Sequence, residues 1–167
     1  IDLVGNVVSE WNLSPAEIIA KVAAAGVVGM GGATLPTNVK LTVPTGKKAE
    51  YLILNGVECE PYLTDDYRIM MERGEEVLVG VSILERAIGV ERIMVGIENN
   101  KPDAIKHLAQ LAPAIDSRIE VVPLKVSYPQ GSEKHLITAL TGRQVPSGGL
   151  PIDVGAIVQN VGTALAV

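Results

Sequence analysis

The chain has 167 residues, of which 47% are hydrophobic and 20% are charged, and this composition excludes a disordered protein. The formal net charge of −5 argues against nucleic acid as the main partner, because phosphate binding needs a concentrated basic face. No apolar run reaches the length of about 18 residues that a membrane-spanning helix needs, and the sequence opens without a secretory signal.

The predicted elements alternate between helices and short apolar strands. In chain order they are a helix from Ser14 to Gly26, a strand over Tyr51–Leu54, a helix from Thr64, a second helix between Gly74 and Gly89, a strand over Arg92–Ile97, a helix from Pro102, a strand over Ile119–Leu124, a helix from Ser132 to Gly142, a hairpin or loop over Arg143–Asp153, a strand over Ala156–Val158 and the start of a helix at Asn160. Strands of this kind between helices predict a three-layer α/β/α domain with a mainly parallel sheet. We expect a single domain over residues 1–167. Because no initiator methionine is present, we also expect the chain to be part of a longer protein.

A glycine-rich segment from Gly29 to Lys40 is the strongest candidate for a ligand-binding loop. Three glycines within four positions, Gly29, Gly31 and Gly32, leave the backbone nearly free of Cβ atoms. A ligand can therefore approach the main-chain N–H groups, and Lys40 can meet an anionic group. The alternative is a simple turn, since a glycine-rich loop alone is weak evidence.

Three further clusters follow predicted strands or precede predicted helices, where parallel sheets bind ligands. One contains Asn55, Glu58 and Glu60, and an ordinary solvated turn is the alternative. The second runs from Tyr128 to Lys134 and places Gly131 at a helix start, which is a natural anion site, and its alternative is an ordinary strand-to-helix turn with Ser132 as the N-cap. The third contains Asn160 and Thr163, and its alternative is a simple helix cap.

Other chemistry is not supported by the sequence. His107 and His135 have no metal-ligand partner at a suitable spacing, and no Ser-His-Asp arrangement is suggested. The single cysteine, Cys59, excludes an internal disulfide and fits a reducing compartment. It cannot hold an iron–sulfur cluster alone, because such clusters use several thiolates.

Taken together, the clusters resemble the flavin-binding domain of the C subunit of the Rnf electron-transport complex, which is similar to the NADH-binding flavoprotein subunit of respiratory complex I. The resemblance rests on G-M-G-G-A-T-L-P-T-x-x-K at 29–40, N-G-V-E-C-E-P at 55–61, G-I-E-N-N-K-P-D-A-I at 96–105, Y-P-Q-G-S-E-K at 128–134, V-P-S-G-G-L-P-I-D-V-G at 145–155 and Q-N-V-G-T at 159–163. These motifs cover nearly the whole chain in order.

The resemblance implies a Rossmann-like domain that binds FMN without a covalent bond and accepts hydride from NADH. By position, the implied FMN-binding residues are Gly29, Gly31, Gly32, Lys40, Asn55, Glu58, Tyr128, Gly131, Asn160 and Thr163. Glu60 and Glu133 match acidic residues that meet the dinucleotide in the complex I relative. No residue is assigned an acid–base role, because the cofactors carry out the organic chemistry.

Three residues depart from the family pattern. Leu35 stands where the family usually has Phe, Met30 replaces an Arg of the complex I relative, and Ser132 replaces the first Glu of a pair. The loss of an aromatic ring at Leu35 removes a stacking surface for the dinucleotide. The replacement at Ser132 puts the implied ribose contacts in question.

The resemblance also implies a place in a larger assembly. We expect an NADH-dependent oxidoreductase subunit on the cytoplasmic side of the membrane, peripheral to an ion-translocating complex and in contact with its other subunits. Electrons would pass to iron–sulfur clusters outside this chain, so the chain alone is not expected to be active. The alternatives are the flavin domain of a cobalamin reductase relative and a non-catalytic assembly module of the same fold.

Overall fold

The computed structural model describes residues 12–32, 34–58, 64–125 and 132–167. Within them, four strands form one sheet: β1 (Tyr51–Gly56), β2 (Arg92–Glu98), β3 (Ile119–Leu124) and β4 (Ala156–Asn160). The strand order is β3-β2-β1-β4, and every neighbouring pair is parallel. The predicted parallel sheet is therefore confirmed, with strands one or two residues longer at their carboxyl ends in three of the four cases.

The described helices precede, separate and follow these strands, and six of the seven lie at predicted places; the sequence does not predict the short helix at Thr37–Leu41. They are α1 (Pro15–Ala24), α2 (Thr37–Leu41), α3 (Asp65–Glu72), α4 (Gly74–Ile88), α5 (Pro102–Ile115), α6 (Glu133–Thr141) and α7 (Val161–Ala166). At the start of α1, the Ser14 N–H donates to Glu17 Oε2 at 2.8 Å, and the Glu17 N–H donates back to Ser14 Oγ. The predicted capping box is thus present.

Two apolar clusters cover the two faces of the sheet. The larger one joins α1, α4, α5 and α7 to strand residues such as Leu52, Leu54 and Ile93. The smaller one joins Leu136 and Ile137 of α6 to strand residues such as Ile53 and Val158. Neighbouring residues of β1 therefore point into different clusters, as the two-residue period of a strand requires. This arrangement makes the three layers of the predicted α/β/α fold.

Two local predictions are refined by the structure. The segment 143–153 is a loop, one of the two predicted alternatives; it contains no hairpin and ends in a 3₁₀ helix at Pro151–Val154. Prolines cannot donate to a β-ladder, and the Arg143 guanidinium donates to the Val154 carbonyl at 2.8 Å in place of a strand partner. Gly74 is not a spacer between two helices either, because it is the first residue of α4. A Cβ there would lie 2.8 Å from Leu108 Cδ2, so glycine permits close packing against α5.

Candidate functional site

The order of the strands locates the expected ligand crevice. From β1 the chain moves to β2 and then β3 on one side, while β4 pairs with the opposite edge of β1. Ligands of open α/β sheets bind outside the carboxyl ends of the strands at such a change of direction. Here those ends carry Asn55 and Asn160, which are direct neighbours in the β1–β4 register.

The glycine loop, residues 29–32, packs on the turn between β4 and α7. The Met30 N–H donates to Thr163 Oγ1 at 2.9 Å. A Cβ at Gly31 would lie 3.4 Å from Asn160 Cβ, and Gly32 has φ +116°, a conformation that side chains rarely allow. Gly32 therefore permits the backbone shape of this loop, while Gly31 lies in van der Waals contact range of Asn160.

Asn160 caps the helix that begins behind this loop. Its Oδ1 accepts hydrogen bonds from the N–H groups of Gly162 at 2.8 Å and Thr163 at 3.4 Å. A Cβ at Gly162 would lie 3.1 Å from Asn160 Oδ1 and 3.2 Å from Met30 Sδ. The capping alternative for this cluster is thus present in the structure, and the same turn also supports the glycine loop.

Glu58 connects the end of β1 to two other segments through hydrogen bonds. Its carboxylate accepts from the N–H groups of Asp66 at 2.8 Å and Tyr67 at 3.4 Å, at the start of α3. Lys101 Nζ, before α5, donates to Glu58 Oε2 at 2.7 Å. The side chain of Glu58 is only 7% exposed, and its carboxylate makes its hydrogen bonds to groups within the protein.

Asp66 connects α3 to Asn160. Asn160 Nδ2 donates to Asp66 Oδ2 at 2.7 Å. Burial raises the pKa of Asp66 to about 6; the hydrogen bond from Asn160 opposes this shift, while the nearby Glu58 charge adds to it. The sequence does not indicate Asp66 or Lys101 as site residues, although Asp66 follows the predicted helix start at Thr64 and Lys101 lies within the motif at 96–105.

Lys40 and Glu133, which the resemblance assigns to different ligands, contact each other. Lys40 Nζ lies 2.7 Å from Glu133 Oε1 and also donates to the Val158 carbonyl at 3.1 Å. Both side chains are partly exposed, at 28% and 37%. The pair joins α2 to the start of α6 beside the carboxyl end of β4.

The remaining predicted residues are only partly placed. Asn55 Oδ1 accepts from the Val57 N–H at 3.0 Å at the end of β1. Tyr128, Gly131 and Glu60 lie outside the described residues, as does Cys59. The structure therefore brings together Gly29, Gly31, Gly32, Asn160 and Thr163, and it links Glu58 to them through Asp66.

Two observations test whether this crevice suits FMN. Gln159, next to Asn160 on β4, is 2% exposed, and no described group bonds to its Nε2. A buried amide donor without a partner is costly and is consistent with an acceptor supplied by a ligand. Gly32, in the glycine loop, is exposed and has no atom within 4 Å of its would-be Cβ, so the loop leaves open space there. The residues present fit a hydrogen-bonding cofactor.

Two other kinds of site receive no support from the described parts of the chain. No three His, Cys, Asp or Glu side chains there are grouped so that they could hold a metal ion. None of the helices there is long and apolar enough to cross a membrane.

Comparison with known proteins gives a consistent result. Residues 22–167 match the Nuo51 FMN-binding domain. The chain is 54% identical over 155 residues to the C subunit of the proton-translocating ferredoxin:NAD(+) oxidoreductase complex of Clostridium ljungdahlii, and the match covers 93% of this chain and 34% of the relative. It is also 54% identical over 140 residues to the C subunit of the Na(+)-translocating ferredoxin:NAD(+) oxidoreductase complex of Acetobacterium woodii, covering 84% of this chain and 31% of that protein.

A similar relation holds for a more distant relative and for a solved structure. The C subunit of the ion-translocating oxidoreductase complex of Rhodobacter capsulatus is 47% identical over 156 residues, 93% of this chain and 30% of the relative. A chain of an NAD+-reducing NiFe-hydrogenase in the H2-reduced state superposes with a TM-score of 0.83 at 26% identity, covering 92% of this chain and 30% of that one. The chain thus spans about a third of the length of the curated relatives it matches.

Proposed function

Since the chain belongs to the family of the Nuo51 FMN-binding domain, we propose that it binds FMN in the crevice at the carboxyl ends of β1 and β4. We propose further that it is the flavin domain of an electron-transport oxidoreductase subunit. The names of its relatives support this class of function, because they describe C subunits of ion-translocating oxidoreductase complexes.

The glycine loop and the β4–α7 turn form the proposed cofactor cradle. We place Gly29, Gly31 and Gly32 in this cradle because the loop carries no Cβ atoms at these positions. The Gly29 N–H donates to the Leu35 carbonyl at 2.8 Å, and the Met30 N–H donates to Thr163 Oγ1, which holds the loop in place. Lys40 supplies the nearby positive charge for an anionic group of the cofactor. Asn55 and Glu58 lie at the end of β1, and we assign Tyr128 and Gly131 to the same site by their motif.

The reductant in this proposal is NADH, with Glu60 and Glu133 as the residues that meet it. A bound flavin supplies the hydride-accepting chemistry, and the protein supplies binding, orientation and electrostatics. Glu133 is already held by Lys40 in this structure. The glutamate is therefore oriented by the same lysine that we place at the anionic end of the cofactor.

The electron acceptors and partners in this proposal lie outside the chain. We propose iron–sulfur clusters held by other residues as the next carriers, and the other subunits of a membrane complex as partners. The site would then face the cytoplasm at the membrane surface. On this proposal, the chain by itself does not transfer electrons efficiently to ferredoxin or quinone.

One observation carries the proposal: a glycine loop docked by the Met30–Thr163 hydrogen bond onto the strand ends where the sheet changes direction. Gly32→Ala tests it, because alanine is strained at φ +116° although nothing lies within 4 Å of the added Cβ. Strain of about 1–2 kcal/mol would reduce the population of the binding-competent loop about five- to thirtyfold. Titration of the purified protein with FMN, followed by quenching of flavin fluorescence, should therefore show an increase in Kd of about five- to thirtyfold.

The matched control is Gly46→Ala. Gly46 is also exposed and has φ +83° with no atom within 4 Å of its would-be Cβ, but it lies in the turn that leads into the amino end of β1. We expect normal FMN affinity in this variant. Equal loss of affinity in both variants, or no FMN binding by the unmodified protein, contradicts the proposed site.

A further inference from the structure

A continuous path of hydrogen bonds links α3 to the glycine loop. Asp66 accepts from Asn160 Nδ2 at 2.7 Å, and Asn160 Oδ1 accepts from the Gly162 N–H at 2.8 Å. Thr163, the next residue, accepts from the Met30 N–H at 2.9 Å. The two ends of this path, Asp66 and Met30, are far apart in sequence and are joined through the β4–α7 turn.

Asp66 is itself held from the other side. Its backbone N–H donates to Glu58 Oε1 at 2.8 Å, and Glu58 is paired with Lys101 at 2.7 Å. Lys101 also lies 3.4 Å from Glu98 of β2. The backbone at the start of α3, which carries Asp66, is therefore held beside the carboxyl ends of β1 and β2.

The charge of Asp66 selects one orientation of the Asn160 amide. In the observed orientation, the amide NH₂ faces the carboxylate and the carbonyl oxygen faces the N–H groups of α7. Rotation of the amide by 180° would place an oxygen against the carboxylate and an NH₂ against N–H donors. Both of those contacts are repulsive, because an amide NH₂ can only donate and an ionised carboxylate can only accept.

We propose that Asp66 is a positioning residue of the flavin site, which holds Asn160 in the orientation that caps α7 and thereby anchors the glycine loop. The consequence for cofactor affinity rests on the proposed function. The consequence for the loop itself does not, and it can be measured without any ligand.

The ligand-free test is amide hydrogen exchange in the purified protein. In Asp66→Ala, the amide protons of Gly162 and Met30 should exchange about tenfold faster or more, because a charge-assisted hydrogen bond that orders the turn is lost. The matched control is Asp65→Ala, which removes the adjacent carboxylate from the same helical turn. Unchanged exchange in Asp66→Ala, or equal acceleration in the control, overturns the proposal.

An exchange of the two side chains separates positioning from a general loss of stability. Asn160→Asp alone would place two carboxylates in contact, and we expect fast exchange at Gly162. The double variant Asp66→Asn with Asn160→Asp restores one donor and one acceptor, and Asp is a good helix N-cap. Protection at Gly162 and Met30 should return in the double variant; its failure to return contradicts the proposal.

A further experiment measures the Kd for FMN of Asp66→Asn and of the unmodified protein between pH 5 and 8. The charged groups near Asp66 are Glu58, Asp65 and Lys101, and α7 contributes none. Because protonated Asp66 resembles Asn, the ratio of the two FMN Kd values should be several-fold at pH 7.5 and should approach one near pH 5. The ionisation of FMN itself cancels in this ratio, since both proteins meet the same ligand.

The possible outcomes are distinct. A ratio of one at pH 7.5, or a ratio that does not change with pH, contradicts the role of Asp66 in cofactor affinity. If the unmodified protein does not bind FMN, the proposed function is wrong, and amide exchange alone then decides whether Asp66 positions Asn160.

Discussion

Lys40 meets two acceptors at once, the Glu133 carboxylate at 2.7 Å and the Val158 carbonyl at 3.1 Å. A lysine ammonium has three donors, so these contacts leave one donor for a further acceptor. The two contacts also restrict a long side chain that would otherwise lose entropy when it binds an anion. We therefore interpret Lys40 as an ammonium group that Glu133 and the Val158 carbonyl hold in place beside β4.

We expect Lys40→Ala to weaken FMN binding by about ten- to a hundred-fold, because a charge-assisted hydrogen bond contributes roughly 1.5–3 kcal/mol. Lys47→Ala is the control, since Lys47 also pairs with a carboxylate, Asp153, at 3.0 Å, but near the amino end of β4. FMN titration of both variants measures the effect. Full flavin occupancy in Lys40→Ala would show that this lysine does not contact the cofactor.

At the scale of secondary-structure elements, α7 depends on one close helix contact. A Cβ at Gly80 of α4 would lie 1.9 Å from the carbonyl oxygen of Ala164 in α7. Glycine is thus required where the two backbones meet. Since α7 begins at the Asn160 cap and contains Thr163, this contact also sets the position of the candidate site.

Gly80→Ala should destabilise the protein by about 1–3 kcal/mol or more, because the overlap is with backbone atoms that cannot rotate away. Gly142→Ala is the comparison, since its φ of +72° is strained but no atom lies within 4 Å of the added Cβ. Its cost should be about 1 kcal/mol. Urea denaturation of both variants measures the difference, and equal stabilities would exclude the close contact between α4 and α7.

At the scale of the whole molecule, the free energy of unfolding depends on pH through carboxylates whose pKa values are shifted in opposite directions. Hydrogen bonds from Tyr67 and the Ala104 N–H lower the pKa of Asp103, and Arg118 lowers the pKa of Asp116. The stability that these groups contribute is present above their unfolded pKa and is lost as the pH falls through their lowered folded values. Asp66 behaves in the opposite way, because burial raises its pKa to about 6.

The contribution of Asp66 is fully present below its unfolded pKa of 3.8 and is lost as the pH rises through about 6. We therefore expect the free energy of unfolding to be largest on the acid side of neutrality, near about pH 5. Urea denaturation between pH 4 and 8 measures this profile. In Asp66→Asn the fall in stability between about pH 5 and 7 should be smaller, and an identical slope in the variant would contradict the assignment.

Local signals in the sequence were sufficient for most of the fold. Ser14 and Glu17 predict a capped helix, and the four strands are found at the predicted places. β1, β2 and β4 are mostly buried, whereas the edge strand β3 buries only its two ends. The glycine loop and the β4–α7 turn are predicted to share a crevice, and the Met30–Thr163 hydrogen bond joins them. Binding of FMN by these residues stays a prediction.

The sequence by itself determined the helices, the strands and their parallel packing, because the apolar pattern and the helix caps act over a few residues. Only the tertiary structure decided which side chains meet across the crevice. Lys40 contacts Glu133 across 93 positions, and Asn160 contacts Asp66 across 94. Such contacts follow from strand order and from the direction in which each turn leaves the sheet, and no short stretch of sequence contains that information.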